Sequence, residues 1–203
     1  IDGVLREAGA RGWETFHLVG YSAGGASALA FAARHGDRLA SLAVVEPAWA
    51  GSWDWSPEHT ALWVQYGRLE GLPPQEYMAG FVRLNVKPEV VTKLPVPEGP
   101  PPPWMAKRPA GISALVRSFK TYDLDRDRLA AFDRPVYFAL GDLSNPVEYE
   151  ETAVRLAKVF PDFELEVFEG RHHFDPPHRA EPERLAASLR RLWERAERSP
   201  SGA

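Results

Sequence analysis

The stretch that decides the fold is TFHLVGYSAGG, residues 15–25. Its first half, residues 15–19, is a short and mostly apolar run, which is typical of a strand buried within a parallel sheet. A glycine-rich turn around Ser22 follows, and residues 26–35 have the alanine-rich composition of a helix that Gly36 would end. This order of strand, tight turn and helix predicts a serine held at the end of a buried strand.

The rest of the chain alternates between strand patterns and helix patterns. Further apolar runs of strand length occupy residues 39–45, 134–140 and 163–168. Helical spacing of apolar residues predicts helices at residues 4–8, 58–69, 75–84, 112–122, 147–160 and 182–196. This alternation predicts an α/β fold with a doubly wound, mostly parallel sheet.

The long separation between the second and third strand patterns predicts an inserted helical lid. We therefore divide the chain into a first core part with the serine turn, the lid, a second core part and a disordered tail, at residues 1–48, 49–133, 134–197 and 198–203. Within the lid, residues 100–103 are consecutive prolines. They favour an extended polyproline II spacer, because each ring fixes its own φ and keeps the preceding residue out of a helix.

The composition narrows the kind of partner. The 203 residues are 44% hydrophobic and 26% charged, with a net charge of −4, so neither nucleic acid nor an anionic membrane is indicated. A small neutral or apolar molecule is the favoured partner, and the oligomeric state is left open. Cysteine is absent from the sequence, which excludes disulfides, thiolate zinc sites and cysteine nucleophiles.

The ends of the chain and its hydropathy bear on location. No apolar stretch approaches the roughly 20 residues that cross a bilayer, and the first residues do not resemble a signal peptide. We therefore favour a cytoplasmic location. Residues 1–4, IDGV, do not resemble the start of a translated protein, so we expect the true amino terminus to lie upstream.

The serine turn carries the first chemical motif. Residues 20–24, GYSAG, match the G-x-S-x-G pattern and resemble the nucleophile elbow of the α/β-hydrolase family. A nucleophile on so sharp a turn needs minimal side chains nearby, which Gly20, Gly24 and Gly25 would supply. The resemblance implies that Ser22 is the nucleophile and that the Ala23 amide donates to the developing oxyanion.

A histidine-containing loop follows the last predicted strand. Residues 168–174, FEGRHHF, resemble the loop that carries the general base in α/β-hydrolases. Aligning Gly170 and Phe174 with the family pattern selects His173 rather than His172 as the base. The other interpretation is a polar loop or a weak metal patch, but no separated pair of ligands accompanies it. We therefore expect neither a metal nor a cofactor.

The acid of the implied triad is where the sequence departs from the family. The family pattern G-x-x-D, applied at Gly141, falls on Ser144, and Asp142 comes two residues early. Glu46, at the end of the preceding strand, is the competitor, because some members of the family that this chain resembles, certain haloalkane dehalogenases among them, carry their acid there. We favour Glu46 over Asp142, whose other interpretation is a turn-capping residue; Glu46 in turn could merely line the cavity.

The resemblance covers nearly the whole chain but only the back half to two-thirds of the family fold. It implies that the first strands and the loop that supplies the second oxyanion donor precede residue 1. The strand at residues 15–19 would then expose an unpaired apolar edge. Activity is therefore predicted for the parent enzyme, and an inactive fragment is one alternative.

The implied reaction is hydrolysis through an acyl-enzyme. A serine nucleophile argues against the carboxylate chemistry of haloalkane dehalogenases and epoxide hydrolases, and leaves ester, thioester, lactone or carbon–carbon bond hydrolysis. Large rings are dense around the lid, and from them we predict a pocket lined by Tyr21, Trp49, Trp53 and Trp63. At least half of the lid rings are expected simply to pack the lid. A non-catalytic binding protein of the same fold is the alternative from another class.

Overall fold

The computed structural model describes residues 1–91 and 103–198, and within them it holds one parallel sheet. Its strands are β1 (Phe16–Tyr21), β2 (Leu39–Val45), β3 (Val136–Gly141) and β4 (Phe163–Phe168), hydrogen-bonded in that spatial order. Because all the pairings are parallel, the carboxyl ends of the four strands lie along one edge of the sheet. There Tyr21 pairs with Val45, and Gly141 pairs with Phe168. The turns that follow the strands therefore meet at this edge.

Helices separate the strands and cover both faces of the sheet. They are α1 (Asp2–Ala10), α2 (Ala23–His35), α3 (Pro57–Arg68), α4 (Pro74–Asn85), α5 (Pro88–Val91), α6 (Arg108–Thr121), α7 (Arg126–Ala130), α8 (Pro146–Ala157), α9 (Pro177–Ala180) and α10 (Pro182–Arg198). Short 3₁₀ segments occupy Gly36–Arg38 and Pro103–Lys107.

Alternation along the central strands explains why the sheet is covered on both sides. Val44 and Phe138 belong to a core cluster that includes buried residues of α2 and α8. Val45 follows Val44 in β2, and Tyr137 precedes Phe138 in β3. These two side chains therefore point to the opposite face, where they belong to a separate cluster with Leu185 and other residues of α10. The predicted α/β fold with a doubly wound parallel sheet is confirmed.

The helical insertion, defined as α3 to α7, lies between β2 and β3 and is fixed to the sheet end. The backbone amide of Lys87 donates to the carbonyl of Leu143 at 2.9 Å, and that of Asn145 donates to the carbonyl of Asn85 at 3.0 Å. The Asn145 side chain also donates to the carbonyl of Leu84 at 2.8 Å. The end of α4 is therefore attached to the loop that follows β3.

Several boundaries differ from the sequence predictions. Helix α6 begins at Arg108, four residues before the predicted start, because proline at the second position of a helix costs no hydrogen bond. The short helices α5, α7 and α9 were not predicted, since four or five residues carry too little periodicity. Helix α10 continues through Arg198, the first residue of the predicted tail.

Two predictions fall on parts of the chain outside the described residues. These are most of the proline spacer, residues 100–102, and the remaining tail, residues 199–203. Pro103 itself begins a 3₁₀ segment. Within residues 1–91 and 103–198, no helix combines the length and the apolar character needed to span a membrane.

Candidate active site

The turn between β1 and α2 holds Ser22 in an unusual backbone conformation. Its φ of 53° and ψ of −122° lie outside the regions that side chains other than glycine favour. A Cβ on Gly20 would lie 2.4 Å from the carbonyl oxygen of Gly24, and one on Gly25 would lie 2.9 Å from Cα of Pro47. A Cβ on Gly24 would meet nothing within 4 Å. We expected Gly20, Gly24 and Gly25 all to need a minimal side chain. The contacts show this need at Gly20 and Gly25 but not at Gly24, so the prediction is corrected there.

A chain of hydrogen bonds runs from Ser22 into the protein. Ser22 Oγ lies 3.0 Å from Nε2 of His173, and Nδ1 of His173 lies 3.2 Å from Oε2 of Glu46. His173 and Glu46 are 2% and 0% exposed. With its proton on Nδ1, the imidazole donates to the carboxylate and leaves Nε2 to accept from the serine. The arrangement is that of a nucleophile, a base and an orienting acid.

Glu46 is held at its other oxygen as well. Oε1 accepts from the backbone amide of Gly141 at 2.8 Å and from Oγ of Ser144 at 2.6 Å. The φ of 43° at Glu46 lies in the left-handed region and is part of the turn that ends β2. With Nδ1 of His173, the carboxylate therefore has three hydrogen-bond partners.

Asp142, the alternative acid, takes part in a different contact. Its Oδ1 accepts from the amide of Gly170 at 2.7 Å, in the first part of the histidine loop. Of the two carboxylates that the sequence offers, the structure thus places Glu46 beside His173. A Cβ on Gly141 would lie 2.5 Å from the carbonyl oxygen of Arg171, so the glycine lets the histidine loop pass close to β3.

Aromatic rings fix the position of His173. The ring of Tyr149 stacks on it, with centroids 4.9 Å apart and planes inclined by 19°, and the Tyr21 hydroxyl donates to its carbonyl. Nδ1 of the neighbouring His172 instead accepts from the amide of Phe174 at 3.2 Å. Sequence reasoning did not find Tyr149, because a tyrosine in an amphipathic helix carries no signal for this contact.

A cavity of about 200 Å³ opens beside Ser22. Its described lining is mostly apolar or aromatic and consists of Tyr21, Ser22, Ala23, Ala48, Trp63, Tyr66, Phe81, Asn85, Arg108, Ile112, Leu115, Val116, Phe119, His173 and Phe174. Ala23 is the first residue of α2, so its amide lies at the positive end of a helix, where the oxyanion donor is expected. Much of the lining comes from one face of α6, which periodicity alone could not distinguish from a core face.

Two of the four predicted pocket residues line this cavity and two do not. Tyr21 and Trp63 do so. Trp49 instead stacks on Phe119 within the core, with ring centroids 5.3 Å apart. Trp53 donates from Nε1 to the carbonyl of Leu124 at 3.3 Å. The prediction is therefore corrected for Trp49 and Trp53, whose rings make these other contacts instead of lining the cavity.

Carboxylate and imidazole side chains also meet away from the serine, as at His59, which lies 3.0 Å from the carboxylate of Glu151. Within the described part of the chain, no group of three or more potential metal ligands was found.

Comparisons with known proteins agree with this architecture. The model of the alpha/beta hydrolase fold family matches residues 10–175. A search of the curated proteins found no match.

Solved structures with the same fold include an alpha/beta hydrolase from a Medee basin deep-sea metagenome library, at 15% identity and a TM-score of 0.66, covering 95% of this chain and 70% of that one. An enzyme degrading N-acyl homoserine lactones has 20% identity and a TM-score of 0.60, over 93% of this chain and 71% of that one. A thermophilic esterase from Thermogutta terrifontis has 22% identity and a TM-score of 0.59, over 96% of this chain and 69% of that one. The family match shows that the chain belongs to the α/β-hydrolase fold family, and these neighbours share its fold.

Proposed function

We propose that this protein hydrolyses small carboxylic esters through a covalent acyl-enzyme on Ser22. The observation that carries the proposal is the hydrogen-bonded chain Ser22–His173–Glu46, because it ends in an apolar cavity. A serine hydroxyl is a weak nucleophile until an adjacent base accepts its proton, and this chain supplies the base and a group that orients it.

Acylation begins at the carbonyl carbon of the ester. Oγ of Ser22 attacks that carbon while Nε2 of His173 takes the hydroxyl proton, and the carbonyl electron pair moves onto its oxygen. The amide of Ala23 donates to this oxyanion, and the Glu46 carboxylate stabilises the imidazolium. His173 then gives its proton to the departing alkoxide, which leaves as an alcohol.

Deacylation repeats these steps with water. Nε2 of His173 takes a proton from a water molecule as the water oxygen attacks the acyl carbon. When the second tetrahedral intermediate collapses, the bond to Oγ breaks and the proton returns to Ser22. The products are a carboxylic acid and the regenerated enzyme.

The cavity favours a short acyl group. Its volume of about 200 Å³ is below the range of about 300–1,000 Å³ that is usual for drug-sized ligands. The walls from Phe81, Ile112 and Phe119 would contact an aliphatic or aromatic acyl chain. Structural neighbours that include a carboxylesterase and a naproxen esterase, both from Bacillus subtilis, support an ester as the substrate.

The test is the substitution Ser22→Ala. We expect the protein to hydrolyse p-nitrophenyl butyrate and to be labelled by a fluorophosphonate probe, and Ser22→Ala to abolish both while circular dichroism stays unchanged. Undiminished hydrolysis by Ser22→Ala would show that the serine is not the nucleophile. A folded wild-type protein that neither turns over nor takes up the probe would support a non-catalytic binding protein instead.

A further inference from the structure

The cavity beside Ser22 has one charged side chain among its described lining residues other than the histidine of the proposed triad. That residue is Arg108, the first residue of α6. No aspartate or glutamate occurs among the described residues that line the cavity. Glu46 lies behind His173 and is fully buried. Arg108 is therefore the one fixed positive charge among the described residues of the cavity wall.

Arg108 differs from another exposed arginine on the same helix. Arg117 forms an ion pair with Glu70, whereas Arg108 forms no ion pair within residues 1–91 and 103–198. Its charge nevertheless acts inside the cavity. Burial and the Glu46 carboxylate raise the pKa of the Tyr21 hydroxyl, and the guanidinium groups of Arg108 and Arg179 oppose that rise. Tyr21 precedes Ser22 directly, so the charge of Arg108 reaches the residue beside the serine, where the Glu46 carboxylate acts more strongly in the opposite sense.

From this arrangement we propose that Arg108 recognises a carboxylate on the substrate, so that the preferred esters are monoesters of short dicarboxylic acids. The inference rests on the proposed ester hydrolysis and names its substrate class. A guanidinium presents a fork of donors that matches the two oxygens of a carboxylate. The cavity walls around it are mostly apolar, so they contain few acceptors that would bind the guanidinium in place of a substrate carboxylate. The rest of such an acyl chain would lie against the α6 side chains.

The experiment compares two esters that differ only at the end of the acyl chain. p-Nitrophenyl hydrogen glutarate and p-nitrophenyl valerate have five acyl carbons each, and the first ends in a carboxylate where the second ends in a methyl group. The measured quantity is the kcat/KM of the glutarate ester divided by the kcat/KM of the valerate ester. Arg108→Gln should lower this ratio by about 10-fold, as expected for one charge-assisted contact that is partly exposed to water. Most of the loss should be in KM.

Three controls make the result specific. Arg108→Lys keeps the charge but not the fork and should recover part of the ratio. Arg117→Gln removes a positive charge from the same helix and should leave the ratio as in the wild type. Raising the salt concentration should shrink the wild-type ratio, since charges at a partly exposed site are screened. An equal ratio in the wild type and Arg108→Gln would overturn the proposal, even if both esters are hydrolysed.

A second measurement keeps this inference separate from the proposed function. If the wild type hydrolyses neither ester, ester hydrolysis fails, but calorimetry with monomethyl glutarate still tests Arg108. Binding that Arg108→Gln removes and Arg117→Gln retains would support anion recognition. Equal binding by all three proteins, or none by the wild type, would contradict it.

Discussion

Two glutamates of this protein are almost equally buried, yet their surroundings differ. Glu46 is 0% exposed and Glu148 is 1% exposed. Glu46 has two donors at Oε1 and faces His173 through Oε2. Glu148 accepts one hydrogen bond, from Nε1 of Trp63 at 3.0 Å, and its Oε1 has no hydrogen-bond partner within the described residues. The same side chain at the same depth therefore has three hydrogen-bond partners in one place and a single donor, at one of its two oxygens, in the other.

This difference separates two tasks that a buried carboxyl group can have. Hydrogen-bond donors compensate a buried carboxyl group for the water it has lost, and Glu46 has them at both oxygens. At Glu148, burial outweighs the opposing charge of Arg155 and the hydrogen bond from Trp63, and it raises the pKa to about 8. A neutral Glu148 still accepts from Trp63, which lines the cavity. The two glutamates therefore share their depth and differ in the number of donors around them.

The largest effect should come from removing the charge of Glu46. In Glu46→Gln we expect kcat for p-nitrophenyl esters to fall by about 10³–10⁴, because the amide favours the wrong tautomer of His173 and does not stabilise imidazolium. The amide nitrogen would also face the Gly141 amide or Ser144 in some orientations, so thermal unfolding should be measured alongside kcat.

The matched control is Asp142→Asn. Asp142 accepts from the Gly170 amide, and asparagine retains an oxygen for that bond. Its kcat should stay within a few-fold of the wild type. If Asp142→Asn were the damaging change and Glu46→Gln the mild one, the acid would have been assigned to the wrong strand end.

The sequence predicted the elbow better than it predicted the acid. The elbow is formed by neighbouring residues of the chain, whereas the surroundings of the acid come from residues far apart in sequence. Ser22 lies within a motif whose strand, turn and helix are contiguous, so local patterns were enough to place it. The Glu46 site is built from the ends of β2 and β3 and from the histidine loop, with partners about 95 residues or more apart in sequence. Aligning the chain with the G-x-x-D pattern placed Ser144 where an aspartate is usual. The alignment did not reveal that the Ser144 hydroxyl donates to Glu46.

The pocket was predicted least well, for a similar reason. A tryptophan in an inserted helix can face the sheet, another helix or the cavity, and composition does not distinguish these. Trp63 lines the cavity while Trp49 packs in the core. Arg108 carried no signal at all, because an arginine at the start of a helix is ordinarily solvated.

A smaller loss is expected when Glu46 keeps its charge but loses one donor. Ser144→Ala removes the hydroxyl at 2.6 Å from Oε1 and leaves the Gly141 amide in place. We expect kcat to fall by about 10-fold, in line with the loss of one hydrogen bond to a charged group. Ser144→Thr keeps the hydroxyl and should recover most of kcat. If threonine is as damaging as alanine, donation from the hydroxyl does not support the carboxylate.

The smallest effect on activity is expected at Glu148, where the change should appear in stability instead. Its pKa is raised from 4.5 to about 8 in the folded protein, so between these values the folded state binds more protons than the unfolded state. Stability from this group is complete below pH 4.5 and is lost as the pH rises through 8. His59 has the opposite sign, since burial lowers its pKa from 6.5 to about 4, and its contribution grows only up to pH 6.5.

Above pH 6.5, the loss due to Glu148 is therefore no longer offset by His59. The melting temperature of the wild type should fall between pH 6.5 and 9, and Glu148→Gln should remove most of that fall, because glutamine accepts from Trp63 without ionising. Glu150→Gln, at an exposed position of the same helix, controls for the loss of a negative charge and should melt in parallel with the wild type. Parallel curves for the wild type and Glu148→Gln would mean that Glu148 is ionised in the folded protein, and the contrast with Glu46 would then have to rest on geometry alone.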